Sequence, residues 1–311
     1  MNAKIIGTGM YVPQKIVTNF DLEKIVNTSN DWIVKNTGIK ERRICDVGET
    51  SSYLGTLAAK QAIGASGLKY EDIDMLIVAT TTADKLSPST ACIIKDNLNL
   101  VNAVAFDVSA VCSGFLFGMS VADQYIRSSG LSGEFNNILV VGVDTFSTIT
   151  DWTRRDCIFF GDGSGAVVMT RSIVDRGFMG FSLYSDSLDR IGFNCERGEK
   201  FVMNTRSVYD TAVRVLPIAI NGVLDKIGMT IDDIDYVIPH QPSVRILTEV
   251  AKRINIPIEK VMMNMDKYAN TVAGTIPILL HETWSKFKKG DIILFAAIGS
   301  GWTYGASIYE V

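Results

Sequence analysis

Gly67-Leu68-Lys69-Tyr70-Glu71-Asp72-Ile73-Asp74-Met75-Leu76-Ile77-Val78 returns later in the chain as Gly228-Met229-Thr230-Ile231-Asp232-Asp233-Ile234-Asp235-Tyr236-Val237-Ile238-Pro239. Each copy reads as a glycine closing a helix, an acidic turn, then a short apolar strand. Further matches follow in the same order. Asn97-Leu98-Asn99-Leu100 answers to Arg253-Ile254-Asn255-Ile256, and Asn137-Ile138-Leu139-Val140-Val141 to Asp291-Ile292-Ile293-Leu294-Phe295. A repeat spanning half a chain means duplicated domains and not a solenoid. Strands alternating with helices put each half in the α/β class, with sheets covered by helices. No Pro- or Ser-rich linker parts the halves, so the expected division is 1–172 and 173–311, just after the strand Ala166-Val167-Val168-Met169.

Working outward, the segment 51–66 reads as a helix stopped by Gly67, and 19–26 and 29–37 read as two shorter helices behind capping residue types. Lys4-Ile5-Ile6-Gly7-Thr8-Gly9 resembles a dinucleotide-binding turn, but the third glycine is missing and Pro13 blocks an immediate helix. That reading is rejected.

The chain has 311 residues and a net charge of −4, so general attraction to nucleic acid or to an anionic membrane is not expected. There is no apolar signal segment and no uninterrupted spanning stretch. Five cysteines lie far apart with no C-x-x-C pair, which fits a reduced, cytoplasmic setting better than a disulfide framework. With only two histidines, His240 and His281, no metal site is expected, and any imidazole chemistry must come from one of them.

Ala103-Val104-Ala105-Phe106 reads as a buried strand, and 114–127 as a helix apolar on every side over its first turns. Cys112 falls at their junction. A helix start offers unpaired N–H groups and about half a positive charge, which favour a thiolate. Ser109, Ala110, Ser113 and Gly114 leave room beside the sulfur. The stretch alone fits a core cysteine equally well. The duplication adds facing junctions in the second half, Pro239-His240-Gln241 after a strand and Ala269-Asn270-Thr271 before an apolar helix at 275–280. His240 alone reads as a structural histidine and Asn270 alone as a turn residue. Together, Cys112, His240 and Asn270 match nucleophilic acyl transfer.

Segments along nearly the whole chain resemble the β-ketoacyl-acyl-carrier-protein synthase III enzymes of the thiolase fold. They include Thr37-Gly38-Ile39-Lys40-Glu41-Arg42, Ala105-Phe106-Asp107-Val108 through Cys112, Phe160-Gly161-Asp162-Gly163-Ser164-Gly165, Pro239-His240-Gln241 and Asn270-Thr271. The resemblance implies a duplicated five-layer αβαβα architecture, a homodimer and a Cys–His–Asn triad. It implies an acyl-CoA as donor to Cys112 and no resident cofactor. His240 and Asn270 would bind the carbonyl of a malonyl thioester on an acyl carrier protein, each donor contributing about 3–4 kcal/mol to the enolate. The Cys112 N–H and the loop at Ser300 would supply the acyl oxyanion donors.

By the same resemblance Trp32 and Arg154 would meet CoA, although Trp32 also fits an amphipathic-helix anchor, and Arg206, where the family pattern is departed from, is expected beside them. Arg245, Lys252 and Arg253 would dock an acidic carrier helix, although Glu249 on the same stripe fits an ordinary solvated face. Ser87 would line the acyl pocket. Departures from the family pattern are Asn36, Thr205-Arg206, Ser243, Ser300, Ser87 and a shortened 183–200 segment. They keep a second reading open, in which acyl-Cys112 passes its group to a non-malonyl acceptor. A non-catalytic partner subunit is the third reading, and the intact triad argues against it.

Overall fold

The computed structural model describes residues 2–129, 134–172, 176–186 and 192–311. The first half runs β1 (Ala3–Tyr11), β2 (Ile16–Thr18), α1 (Asn19–Leu22), α2 (Asn30–Thr37), β3 (Glu41–Arg43), α3 (Ser51–Ser66), β4 (Met75–Ala79), α4 (Thr90–Leu98), β5 (Val104–Val108), α5 (Gly114–Ser128), β6 (Asn137–Asp144) and β7 (Gly163–Arg171). The second runs β8 (Gly177–Ser185), β9 (Phe193–Asn194), β10 (Val202–Met203), α6 (Thr205–Ile227), β11 (Tyr236–Pro239), α7 (Val244–Arg253), α8 (Met265–Tyr268), α9 (Thr275–Thr283), β12 (Ile292–Gly299) and β13 (Thr303–Glu310).

The two large sheets have matching orders, β1-β7-β6-β4-β5 and β8-β13-β12-β11. Among the described residues the second lacks a full counterpart of β5, and only an isolated bridge from Val237 to Val261 stands at that edge. The first sheet draws its strands from residues 3–171 and the second from 177–310. The division expected at 172/173 falls between them, beside 173–175, which lie outside the described residues, as does part of the 183–200 segment.

Strand periodicity explains the layering. In β4, Met75 and Ile77 face a core shared with α5 and α9, while Leu76 and Val78 face α3 and α4. In β12, Ile293, Phe295 and Ala297 face that same central core, while Leu294, Ala296 and Ile298 face α6 and α7. The layers are therefore α3/α4, first sheet, α5/α9, second sheet and α6/α7, the thiolase arrangement read from the sequence. α5 over its first turns and α9 as far as Leu280 are apolar all round because both their faces meet a sheet.

The repeat is visible in backbone detail. Gly67 and Gly228 close α3 and α6 in the left-handed conformation, with φ of 75° and 72°. Asn99 and Asn255 follow α4 and α7 with φ of 51° and 58°. Gly7 and Gly9 have a packing role: a Cβ at either would lie 2.3 Å from a carbonyl of α3, so glycine lets that helix settle onto β1.

Two expectations are corrected. β5 is not buried. It is the edge of the first sheet, and Val104 is 51% exposed. The helix expected over 19–26 ends at Leu22, and its Thr18–Asp21 capping box is followed only by turns.

Gly299, at the end of β12, is the contact that locates the nucleophile's turn. A Cβ there would lie 2.6 Å from the Ala110 carbonyl and 3.0 Å from the Cys112 nitrogen. Gly299→Ala is expected to lose roughly 1–3 kcal/mol of stability by overpacking. A urea midpoint unchanged from the parent would show that the turn yields freely.

Candidate active site

Cys112 sits in a 3₁₀ turn, Val111–Ser113, that runs directly into α5. Val111 holds φ at 48°, a costly value for a β-branched residue. The duplicated half repeats the device: the turn Val272–Gly274 runs into α9, and Val272 has φ of 52°. The two turns pack against each other. Asp144 anchors the second turn to the loop after β4, its Oδ1 accepting the N–H groups of Thr81 (2.7 Å) and Thr82 (3.0 Å), and its Oδ2 that of Ala273 (3.0 Å).

Asn270 enters just before the second turn. Its backbone bridges Phe160 of the first half, donating to the Phe159 carbonyl (3.0 Å) and accepting from Gly161 (3.1 Å). Its Oδ1 accepts the Val272 N–H at 2.8 Å, which turns the amide nitrogen outward, within hydrogen-bond reach of Cys112. His240 follows β11, its N–H donating to the Ala296 carbonyl (2.8 Å), and its Nδ1 lies 2.8 Å from Thr275 Oγ1. The structure brings all three residues to the wall of one cavity of about 830 Å³. His281 stays away from it, between Thr8 and Gln61, and is structural.

Electrostatics correct the thiolate expectation. Burial pushes the Cys112 thiol well above its ordinary value and the nearby Asp144 adds to this, while its own N–H and the Asn270 side chain pull down less strongly. The resting group is a thiol. Burial also lowers His240 to about 3, so its ring is neutral at physiological pH. Asp144 is raised by burial to about 7 in spite of its donors.

The rim carries the residues expected for CoA and one more, Arg155, which stacks on Trp32 with its guanidinium carbon 3.7 Å from the ring centroid. Arg154 pairs with Asp156 at 2.9 Å, and its side chain is 45% exposed. Both arginines line the cavity mouth, as does Arg206, which lies 3.5 Å from Asp210 in the first turns of α6. Asn36 bonds the Trp32 carbonyl and accepts from Arg245 at 3.1 Å, so Arg245 belongs to the rim as well as to α7. Lys252 is exposed further along α7, whereas Arg253 is held by Glu249 (2.8 Å) and the Val213 carbonyl (3.1 Å).

Ser300 lines the cavity, with its hydroxyl donating to the Phe193 carbonyl at 2.6 Å. Ser243 has a plain structural reason to be there, as the N-cap of α7. Ser87 is exposed on the loop before α4, outside the wall of its own chain's cavity. Among the described residues no group of acidic, Cys and His side chains could hold a metal ion, and no helix is long and apolar enough to cross a membrane.

Sequence reasoning missed Arg155, Asp144 and Thr275. Adjacent arginines cannot be told apart by spacing. Asp144 did carry a signal, a carboxylate closing the otherwise apolar run of β6.

A buried cysteine opening a helix, faced by a neutral imidazole and an amide from the duplicated half, defines an acyl-transferring enzyme of the thiolase fold. Profiles described as 3-oxoacyl-[acyl-carrier-protein (ACP)] synthase III match residues 106–187, and those of its C-terminal part residues 224–311. The β-ketoacyl-[acyl-carrier-protein] synthase III of Caldanaerobacter subterraneus subsp. tengcongensis is 44% identical, covering 99% of this chain and 97% of that protein. Synthase III 1 of Bacillus cereus is 42% identical over 98% of each. The crystal structure of the Aquifex aeolicus 3-oxoacyl-[acyl-carrier-protein] synthase III superposes with a TM-score of 0.95 at 43% identity, over 99% of this chain and 100% of that one. The chain belongs to the 3-oxoacyl-[acyl-carrier-protein] synthase III family.

A thiol raised by burial is expected to gain thiolate about tenfold per pH unit through the range 7–9. Iodoacetamide labelling of Cys112, followed by intact mass, should keep accelerating across that range. A rate already level at pH 7 would mean a resting thiolate.

Proposed function

We propose that this protein condenses an acyl-CoA with a malonyl thioester carried on acyl carrier protein, the initiating step of fatty-acid assembly. The observation that carries the reading is the single cavity shared by Cys112, His240 and Asn270. In the first half-reaction Cys112 Sγ attacks the acyl carbonyl, the bond to the CoA sulfur breaks, and CoA leaves as a thiol with the proton Cys112 gives up. The Cys112 N–H and the loop at Ser300 are suited to the transient oxyanion. Gly299 is backed onto the Cys112 turn and keeps that loop beside the sulfur.

In the second half-reaction the malonyl carboxylate breaks away as carbon dioxide and its electron pair passes to the enolate oxygen. His240 Nε2–H and Asn270 Nδ2–H are the donors to that oxygen. Neutrality suits His240, because an uncharged ring donates without first needing a proton. The carbanion then attacks acyl-Cys112, a carbon–carbon bond forms, the sulfur leaves and takes a proton from solvent, and a 3-ketoacyl product is released.

Trp32 with Arg155 is placed to hold an adenine and its phosphates. Arg245 and Lys252 are placed to meet an acidic carrier, with Arg253 contributing less because Glu249 neutralises it. The open edge of β5 supports a homodimer: unpaired strand edges with exposed apolar residues such as Val104 seek a partner strand. The loop carrying Ser87 flanks this edge, since the N–H groups of Thr90 and Ala91 bind Asp107 of β5. Its bearing on an acyl chain would then be across the dimer.

The test is incubation with acetyl-CoA, mass measurement at Cys112, then addition of malonyl carrier protein with trapping of carbon dioxide. Acylation followed by stoichiometric carbon dioxide is expected. Acylation without carbon dioxide would remove the condensing reading, and labelling that survives Cys112→Ala would remove Cys112 as acyl carrier. Separately, sedimentation should give about twice the 34.1 kDa chain mass, and a monomer at micromolar concentration would overturn the dimer.

A further inference from the structure

His240 can serve either half-reaction only through the nitrogen that faces the cavity, and its second nitrogen decides what that one carries. A neutral imidazole has one N–H and one lone pair. Burial keeps the ring neutral, so the tautomer is the only freedom left to it. Its Nδ1 has one hydrogen-bond partner among the described residues, Thr275 Oγ1 at 2.8 Å, and both residues are buried.

The Thr275 hydroxyl has one proton and two neighbours able to take it. One is His240 Nδ1. The other is the Val272 carbonyl at 3.0 Å, one helical turn back. That carbonyl already accepts the Thr275 backbone N–H, so it is satisfied without the hydroxyl. The shorter contact runs to the ring. Turned that way, the hydroxyl gives Nδ1 its partner and puts the ring proton on Nε2. Turned the other way, it would accept from Nδ1–H and leave a bare Nε2 lone pair facing the site of a developing enolate, where it would repel.

We propose that Thr275 is a positioning residue that donates its hydroxyl proton to His240 Nδ1 and thereby fixes His240 as an Nε2–H donor. This rests on the condensing reading above and deepens it, because it assigns His240 to the decarboxylation and not to removal of the Cys112 proton. The same short segment then supplies both donors: Asn270 directly, and His240 through Thr275, five residues on at the start of α9. Val272 serves both, its N–H orienting the Asn270 amide and its carbonyl receiving the helix start that carries Thr275.

The experiment has two arms on the full chain. Long-range ¹H–¹⁵N correlation spectra of uniformly ¹⁵N-labelled protein report which ring nitrogen carries the proton. With only His240 and His281 present, a His281→Gln variant assigns both. His240 is expected as Nε2–H. The kinetic arm compares Thr275→Val, which keeps shape and loses the hydroxyl, with Thr275→Ser, which keeps it. Thr275→Val should leave acylation of Cys112 by acetyl-CoA within about threefold of the parent while carbon dioxide release from the malonyl thioester falls about a hundredfold. Thr275→Ser should restore release. An Nδ1–H resonance for His240 in the parent would overturn the proposal, as would a Thr275→Val variant that loses both steps in proportion or loses neither. Should Thr275→Val not fold, the parent spectrum decides alone. Failure of the parent to release carbon dioxide would strike the condensing reading, whereas the tautomer is read without substrate.

Discussion

One buried carboxylate ties the two halves together beside the nucleophile. Asp144 closes β6 and binds N–H groups from the loop after β4 and from the turn before α9, so it joins the two halves at the point where their helix-initiating turns meet. A carboxylate so far from water persists only because its oxygens are filled with donors, and even then burial raises it to about 7. The geometry of the two turns that meet there is unusual for the residues involved. Val111 and Val272 both sit at positive φ, and strain of that kind lasts only where the surroundings over-determine it. The nucleophile's turn and the turn behind Asn270 are two copies of one device, pressed together.

Duplication also explains the division of labour. In the first half the turn presents a side chain with chemistry, Cys112, while the matching position of the second turn is Ala273, whose contribution is a backbone N–H to Asp144. The second half places its chemistry just outside the turn, at Asn270 and at the end of β11, where His240 enters. On the proposed reading, one copy would hold the acyl group and the other would polarise the carbonyl that must become an enolate. A desolvated pocket suits both tasks, since fixed donors gain strength where water is excluded.

Much of this was legible in the chain. The repeated glycine, acidic turn and strand predicted the halves because such punctuation carries its own mechanism, and both glycines take the left-handed conformation expected of them. The helix 51–66 was readable to the residue, since Thr50 caps it and Gly67 stops it. Cys112, His240 and Asn270 were readable as a set, though not as a geometry. What failed was whatever depends on neighbours distant in sequence. The apolar β5 reads as buried because composition cannot tell an edge from a centre. A helix start favours a thiolate in principle, but at Cys112 burial outweighs it. Arg155 was not singled out because spacing cannot tell which of two adjacent guanidiniums turns toward Trp32 and which pairs with Asp156.

The central claim is that the two halves make separable contributions: the sulfur carries the acyl group, and His240 with Asn270 drives decarboxylation. The most direct measurement is carbon dioxide release from malonyl-CoA by a Cys112→Ala protein, with and without His240→Ala added. The account predicts continued release from Cys112→Ala alone and its loss, by about two orders of magnitude, when His240 is also removed. If Cys112→Ala by itself abolished release, with the fold intact, the separation of roles would be wrong.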